Sequence, residues 1–175
     1  YSDSLKINGT NNSNTNFTPT AEMLKKDWSS SIEMERSWKS ALVRIPVSVG
    51  KSITSTVDEM KKKLSEKVKK FPTVIFLHGC YGVHPGTYHR IKFLADHGFL
   101  TIAPVSFARL KYLKSCDIYT YQSGLYRGTI KIREFDAKYA ITKLKNLNFV
   151  DTENIILMGH SEGGITTAIL KLNDA

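Results

Sequence analysis

From residue 71 onward the chain alternates two hydrophobic patterns. Short unbroken apolar runs, "PTVIFLHG", "FLTIAPVS" and "NIILMGH", are separated by stretches in which apolar residues recur every three or four positions. An unbroken run fits a strand buried on both faces, and the longer period fits one face of a helix. "YHRIKFLADHG" predicts a short helix closed by Gly98, while Ile130, Ala137, Ala140, Ile141, Leu144 and Leu147 trace a longer one. A further helix is expected from Gly163, and residues 107–127 are expected as a loop. Strands that alternate with helices need crossover connections, so the pattern predicts an α/β layered fold on a mostly parallel sheet.

Before residue 71 the signals are different. Residues 38–49, "WKSALVRIPVSV", are rich in β-branched side chains and predict a strand, placed at a sheet edge because Pro46 interrupts it. Ile53, Val57, Met60, Leu64 and Val68 then recur at spacings of four and three with lysines between them, which predicts one amphipathic helix. Thr56 and Glu59 have capping-box spacing near its start. Lys61, Lys62, Lys63, Lys67, Lys69 and Lys70 read as a solvated face, with an anion-binding face as the alternative. The first 20 residues, rich in Asn, Ser and Thr, cannot offset their ordering entropy by burial. Residues 1–37 are therefore expected to form a polar arm and residues 38–175 the domain. Asn8, Asn11 and Asn16 each start an N-x-[ST] triplet, which a segment of this composition produces by chance.

At 175 residues with 41% hydrophobic content, the chain has material for one globular core, which excludes intrinsic disorder and a disulfide-dense miniprotein. The net charge of +9 attracts anions, but basicity alone describes solubility rather than function, and no nucleic-acid partner is expected. No apolar run approaches the length of a membrane span. Cys80 and Cys116 permit one disulfide in an oxidising compartment, or stand as two free buried thiols. The start at Tyr1 rather than Met, the polar arm and the cysteine pair favour a secreted or periplasmic location, with the cytoplasm as the alternative. No metal and no cofactor are expected.

"GHSEG", residues 159–163, fits G-x-S-x-G and sits between an apolar run and a helical segment, the setting that motif requires. A serine there occupies a sharp strand-to-helix turn with strained backbone angles, and the flanking glycines avoid collisions with neighbouring elements. The turn lifts the Ser161 hydroxyl clear of the backbone. The Glu162 N–H, at a helix N-terminus, is suited to stabilise an oxyanion.

The pieces "FPTVIFLHGCYG", "GFLTIAPVSFAR", "REFDAKYAITKL" and "IILMGHSEGG" stand in one order and cover about the last three-fifths of the chain. From residue 71 to its end the sequence resembles the N-terminal half of an α/β-hydrolase, and within that superfamily it is similar to dienelactone hydrolase-like proteins. The resemblance implies an α/β-hydrolase-like three-layer fold, incomplete at the C-terminus. It implies Ser161 as nucleophile and the backbone N–H groups of Cys80 and Glu162 as the oxyanion hole. It assigns the His160 and Glu162 side chains to elbow packing and rim. In such proteins the cysteine after His-Gly is sometimes accompanied by another in the loop where Cys116 stands; a Cys80 to Cys116 bridge would contribute roughly 3–4 kcal/mol in the chain-entropy model. Where many relatives place an acidic residue after Ala-Pro this chain has Val105, so a common loop brace is expected to be missing.

In this superfamily the acid and the histidine of the triad follow the serine. Beyond the elbow itself only Asp174 remains as an acid, and no histidine follows Ser161. His78, His84, His89, His97 and His160 all precede it, His84 being the substitute base nearest the oxyanion loop. The leading reading is a serine hydrolase of a small ester or lactone, nearly inactive as this chain alone, its activators lying outside these 175 residues. The alternative is a noncatalytic α/β-hydrolase-like module that binds a ligand or partner in the cleft. A third reading, an anion-binding surface on the lysine helix, would show steep salt dependence. The strand "NIILMG" is expected to present an apolar edge, covered by a missing C-terminal half or by a second copy of the chain.

Overall fold

The computed structural model describes residues 26–111, 115–117, 119–120, 122–123 and 127–170. The arm of the first 20 residues, its three triplets and Asp174 lie outside them. Helix α1 (Ser31–Lys39) leads into the hairpin of β1 (Leu42–Ser48) and β2 (Lys51–Ser55), then α2 (Val57–Leu64) and β3 (Phe71–Leu77). Next come α3 (Pro85–Asp96), β4 (Leu100–Ala103), a 3-10 turn (Ser106–Ala108) and a short hairpin of β5 (Cys116–Asp117) and β6 (Gln122–Ser123). Helix α4 (Arg127–Lys145), β7 (Val150–Gly159) and α5 (Glu162–Ile169) complete the order. Five strands form one sheet in the order β2-β1-β4-β3-β7. Strands β4, β3 and β7 run parallel, and β1 is antiparallel to both its neighbours.

Alternate strand residues face opposite layers. Val43, Ile45, Ile75, Leu77, Leu100 and Ile102 join Trp38 of α1, Met60 and Leu64 of α2, and Ala137, Ala140 and Leu144 of α4 in the larger core. Phe76 and Ala103 point the other way, onto Ile91 and Leu94 of α3. Helices therefore cover both sheet faces, the three-layer α/β-hydrolase-like arrangement the sequence implies. Strand β7 pairs only with β3 among the described residues, and Ile156 and Met158 are partly exposed along it.

The structure corrects several expectations. Strand β1 is second in the sheet rather than at its edge. Pro46 is tolerated because β4 pairs only with Leu42, Val43 and Arg44, so the missing N–H falls past that pairing, where the β1–β2 register also shifts. The amphipathic helix is shorter than its pattern. Ile53 belongs to β2, opposite Ile45, and Val68 lies beyond the helix, fully exposed. The capping box fixes the start: the Thr56 hydroxyl accepts from the Glu59 N–H, and the Glu59 carboxylate accepts from the Thr56 N–H. The boundary expected at residue 37 falls inside α1, where Ser37 and Trp38 are buried. Within the expected loop stands the β5–β6 hairpin.

Candidate active site

At the end of β7 the chain enters α5 through His160 and Ser161. Ser161 has φ 54° and ψ −123°, the one positive φ outside glycine among the described residues. Such a conformation costs on the order of 1–3 kcal/mol and persists only where its surroundings hold it. Here the His160 N–H donates to the Leu77 carbonyl (3.1 Å), the Gly163 N–H to the His160 carbonyl (3.0 Å) and the Ile165 N–H to the Ser161 carbonyl (3.0 Å). The flanking glycines are required by close approach. A Cβ on Gly159 would stand 2.2 Å from the Gly163 carbonyl oxygen, and one on Gly163 would stand 2.1 Å from that of Leu77. The Ser161 side chain is exposed, on the turn where the motif predicts it.

The end of β3 lies against this turn. A Cβ on Gly79 would sit 3.5 Å from Ser161 Cβ and 3.3 Å from His160 Nδ1, so bare backbone carries the chain past the elbow into Cys80. Cys80 is bonded to Cys116, with Cα atoms 5.7 Å apart. The two are thus a disulfide rather than free thiols, and the bridge ties the β3–α3 loop to the β5–β6 hairpin. His84 caps α3, its Nδ1 accepting the Gly86 N–H at 3.1 Å, and its ring stands edge-on to that of His160 at 6.1 Å. Burial, then the charges of Arg90 and His84, hold the His160 pKa below its ordinary value. His89 and His97 are exposed on the α3 side.

Beneath the turn lies a buried ion pair that sequence reasoning missed. Arg133 of α4 meets the Glu162 carboxylate at 3.0 Å, with both side chains almost wholly buried. The Ser115 hydroxyl, next to Cys116, also donates to Glu162. The same guanidinium donates to the carbonyls of His78 and Gly79. One arginine therefore links the residue after Ser161 to the two residues before Cys80. Glu162 is not a rim residue: its side chain is buried, and Arg133 and Ser115 partner it there. The available signal was that Arg133 and Asp136 share the apolar stripe of Ala137, Ala140 and Leu144.

His78 belongs to this buried frame. Its Nε2 accepts the Ser106 N–H (3.3 Å), which leaves the proton on Nδ1, 2.8 Å from the Gly79 carbonyl. Burial first, then the Arg133 charge, push its pKa down to about 3. The brace expected to be missing at Val105 is supplied otherwise. The Val105 N–H donates to the Ser37 carbonyl at 3.1 Å. Arg109 pairs with Asp136 at 2.7 Å, both buried, and donates to the Asp27 and Trp28 carbonyls.

Among the described residues no helix is long and apolar enough to cross a membrane. Residues 40–175 match the profile of the chlorophyllase family. Neither a curated protein nor a solved structure matches the chain. The match reaches the superfamily that the sequence resembles without singling out its dienelactone hydrolase-like members. With the sheet, the layers and the strand-to-helix turn agreeing with that match, the chain belongs to the chlorophyllase family, a family of hydrolases within the α/β-hydrolase superfamily.

Proposed function

We propose that the protein is a serine hydrolase of a carboxylic ester or lactone, with Ser161 as nucleophile and the N–H groups of Cys80 and Glu162 as oxyanion donors. The supporting observation is the closeness of Gly79, the residue before Cys80, to Ser161: a Cβ built on Gly79 would lie 3.5 Å from that of Ser161, which sits on a positive-φ turn. The Ser161 oxygen attacks the acyl carbon, and the two amides stabilise the charge that develops on the carbonyl oxygen. Collapse breaks the bond to the leaving alcohol, which takes up the serine proton, and water then releases the acid from the acyl-serine. A general base within hydrogen-bond reach of the Ser161 hydroxyl would speed both steps.

The same observation favours, as a second reading, a noncatalytic module that binds an ester-like ligand at the elbow. Incubation with p-nitrophenyl butyrate followed by intact-mass analysis and peptide mapping separates the two. A butyryl adduct on Ser161, absent in Ser161→Ala, supports the hydrolase. No adduct, or one unaffected by Ser161→Ala, rejects it. Rapid turnover abolished by Ser161→Ala would show that a base is present and return attention to His84.

A further inference from the structure

At the other end of the sheet from Ser161 lies a groove of about 950 Å³. Phe71, which begins β3, lines it, whereas Gly79, just past the far end of β3, touches the elbow. At about 3.3 Å per strand residue the two places are roughly 25 Å apart. The floor is apolar, made by Ile45, Ile53, Leu64 and Phe71. Val47 at the end of β1 and Val49 of the β1–β2 turn form one wall, with Val49 fully exposed. Lys63, Lys67 and Lys69 form the other, and Lys69 Nζ stands 5.4 Å from the Phe71 ring centroid. The acid of the lining, Asp96, is already engaged by the Ser52 hydroxyl (2.5 Å) and by Lys92. Glu59, which approaches Lys63 at 3.9 Å, is exposed and offsets little of its charge.

We propose that this groove binds a long-chain carboxylate, the chain lying on Ile45, Ile53, Leu64 and Phe71 and the head meeting Lys63, Lys67 and Lys69. The volume falls within the range of small-molecule sites, about 300–1,000 Å³. The complementarity is double. An apolar floor with lysines along one side only does not suit a purely ionic partner such as nucleic acid, which needs phosphate contacts along an open face. The Lys69 ammonium stands over the Phe71 ring, and with Lys63 and Lys67 in the same lining the groove selects a charged head over a neutral one. A concave floor holds one chain, whereas a bilayer surface would be met by apolar groups projecting from a convex one. This site is independent of the hydrolase reading and shares no residue with it.

The test is a titration with cis-parinaric acid below its micelle concentration, alongside its methyl ester, which keeps the chain and removes the charge. Saturable fluorescence enhancement by the acid, with the ester about tenfold weaker, is the expected result. Lys63→Gln/Lys67→Gln/Lys69→Gln should weaken the acid by a similar factor and leave the ester unchanged. Ile53→Trp, which fills the groove, should abolish binding of both. Absence of saturable binding, equal affinity for acid and ester, or full binding in folded Ile53→Trp would overturn the proposal. Sedimentation with phosphatidylserine vesicles in the absence of monomer binding would also overturn it, assigning the face to a bilayer. Should either variant fail to fold by circular dichroism, the acid-to-ester ratio of the wild-type protein still decides.

Discussion

Helix α4 carries two charged residues three positions apart into the interior, and their partners lie in different parts of the molecule. Arg133 reaches the elbow: Glu162, Ser115 beyond it, and the carbonyls of His78 and Gly79. Asp136 reaches Arg109, which extends to the Asp27 and Trp28 carbonyls ahead of α1. Burying an ion pair brings little net stability relative to apolar packing, while removing one partner is costly. What each pair contributes is position. The Arg133 pair links two peptide segments near Ser161, and the Arg109 pair fastens the segment ahead of α1 to the turn after β4. Perturbing them should therefore give different signatures.

The largest effect is expected from the scaffold pair. Arg109→Ala leaves Asp136 buried without its counter-charge and should cost about 3–5 kcal/mol in urea unfolding; a loss below about 1 kcal/mol would rank the pair with surface ones. On the elbow side, reduction of Cys80–Cys116 should cost roughly 3–4 kcal/mol by the chain-entropy account. Because Cys116 adjoins Ser115, reduction should also slow Ser161 acylation, while Arg109→Ala, measured where it stays folded, should not. Equal slowing by both would dissolve the distinction between site and scaffold.

Acid should act on the elbow side first. His78, beside Arg133, has a folded pKa of about 3 against an ordinary value near 6.5. Between these values the unfolded chain binds the proton and the folded chain does not, so stability falls as pH drops through that window. From pH 7 to pH 5 the loss should be about 2 kcal/mol, and His78→Gln should flatten that limb. Denaturant midpoints at a series of pH values measure it. The smallest effect is the most specific. Arg133→Lys keeps the charge and loses the fork, and should lower the rate of Ser161 acylation about tenfold with a stability change smaller than that of Arg109→Ala. An unchanged acylation rate in folded Arg133→Lys would show that the guanidinium does not position the elbow.

The contrast also separates what could be read in the sequence from what could not. Gly159 and Gly163 were legible because backbone passes so close to backbone that a Cβ has no room, and a short motif records that constraint locally. The pairing of Cys80 with Cys116 was legible only as one of two outcomes. Ile53 was misread because its spacing from Val57 satisfies a helix, while its actual partner, Ile45, is set by the turn at Gly50, where φ is +72°. Arg133 and Glu162 are 29 positions apart, and no local period announces which buried arginine meets which carboxylate.

The disulfide also changes the topology of the chain. Residues 80 and 116 close a covalent ring that contains α3 and β4, while β3 precedes it and β7 follows it. A single peptide bond cleaved anywhere inside that ring would yield two polypeptides that still travel as one particle of undiminished mass, separating only when a reductant is added. The paired strands β3 and β7 would then belong to different pieces, joined by a thread that a thiol can cut.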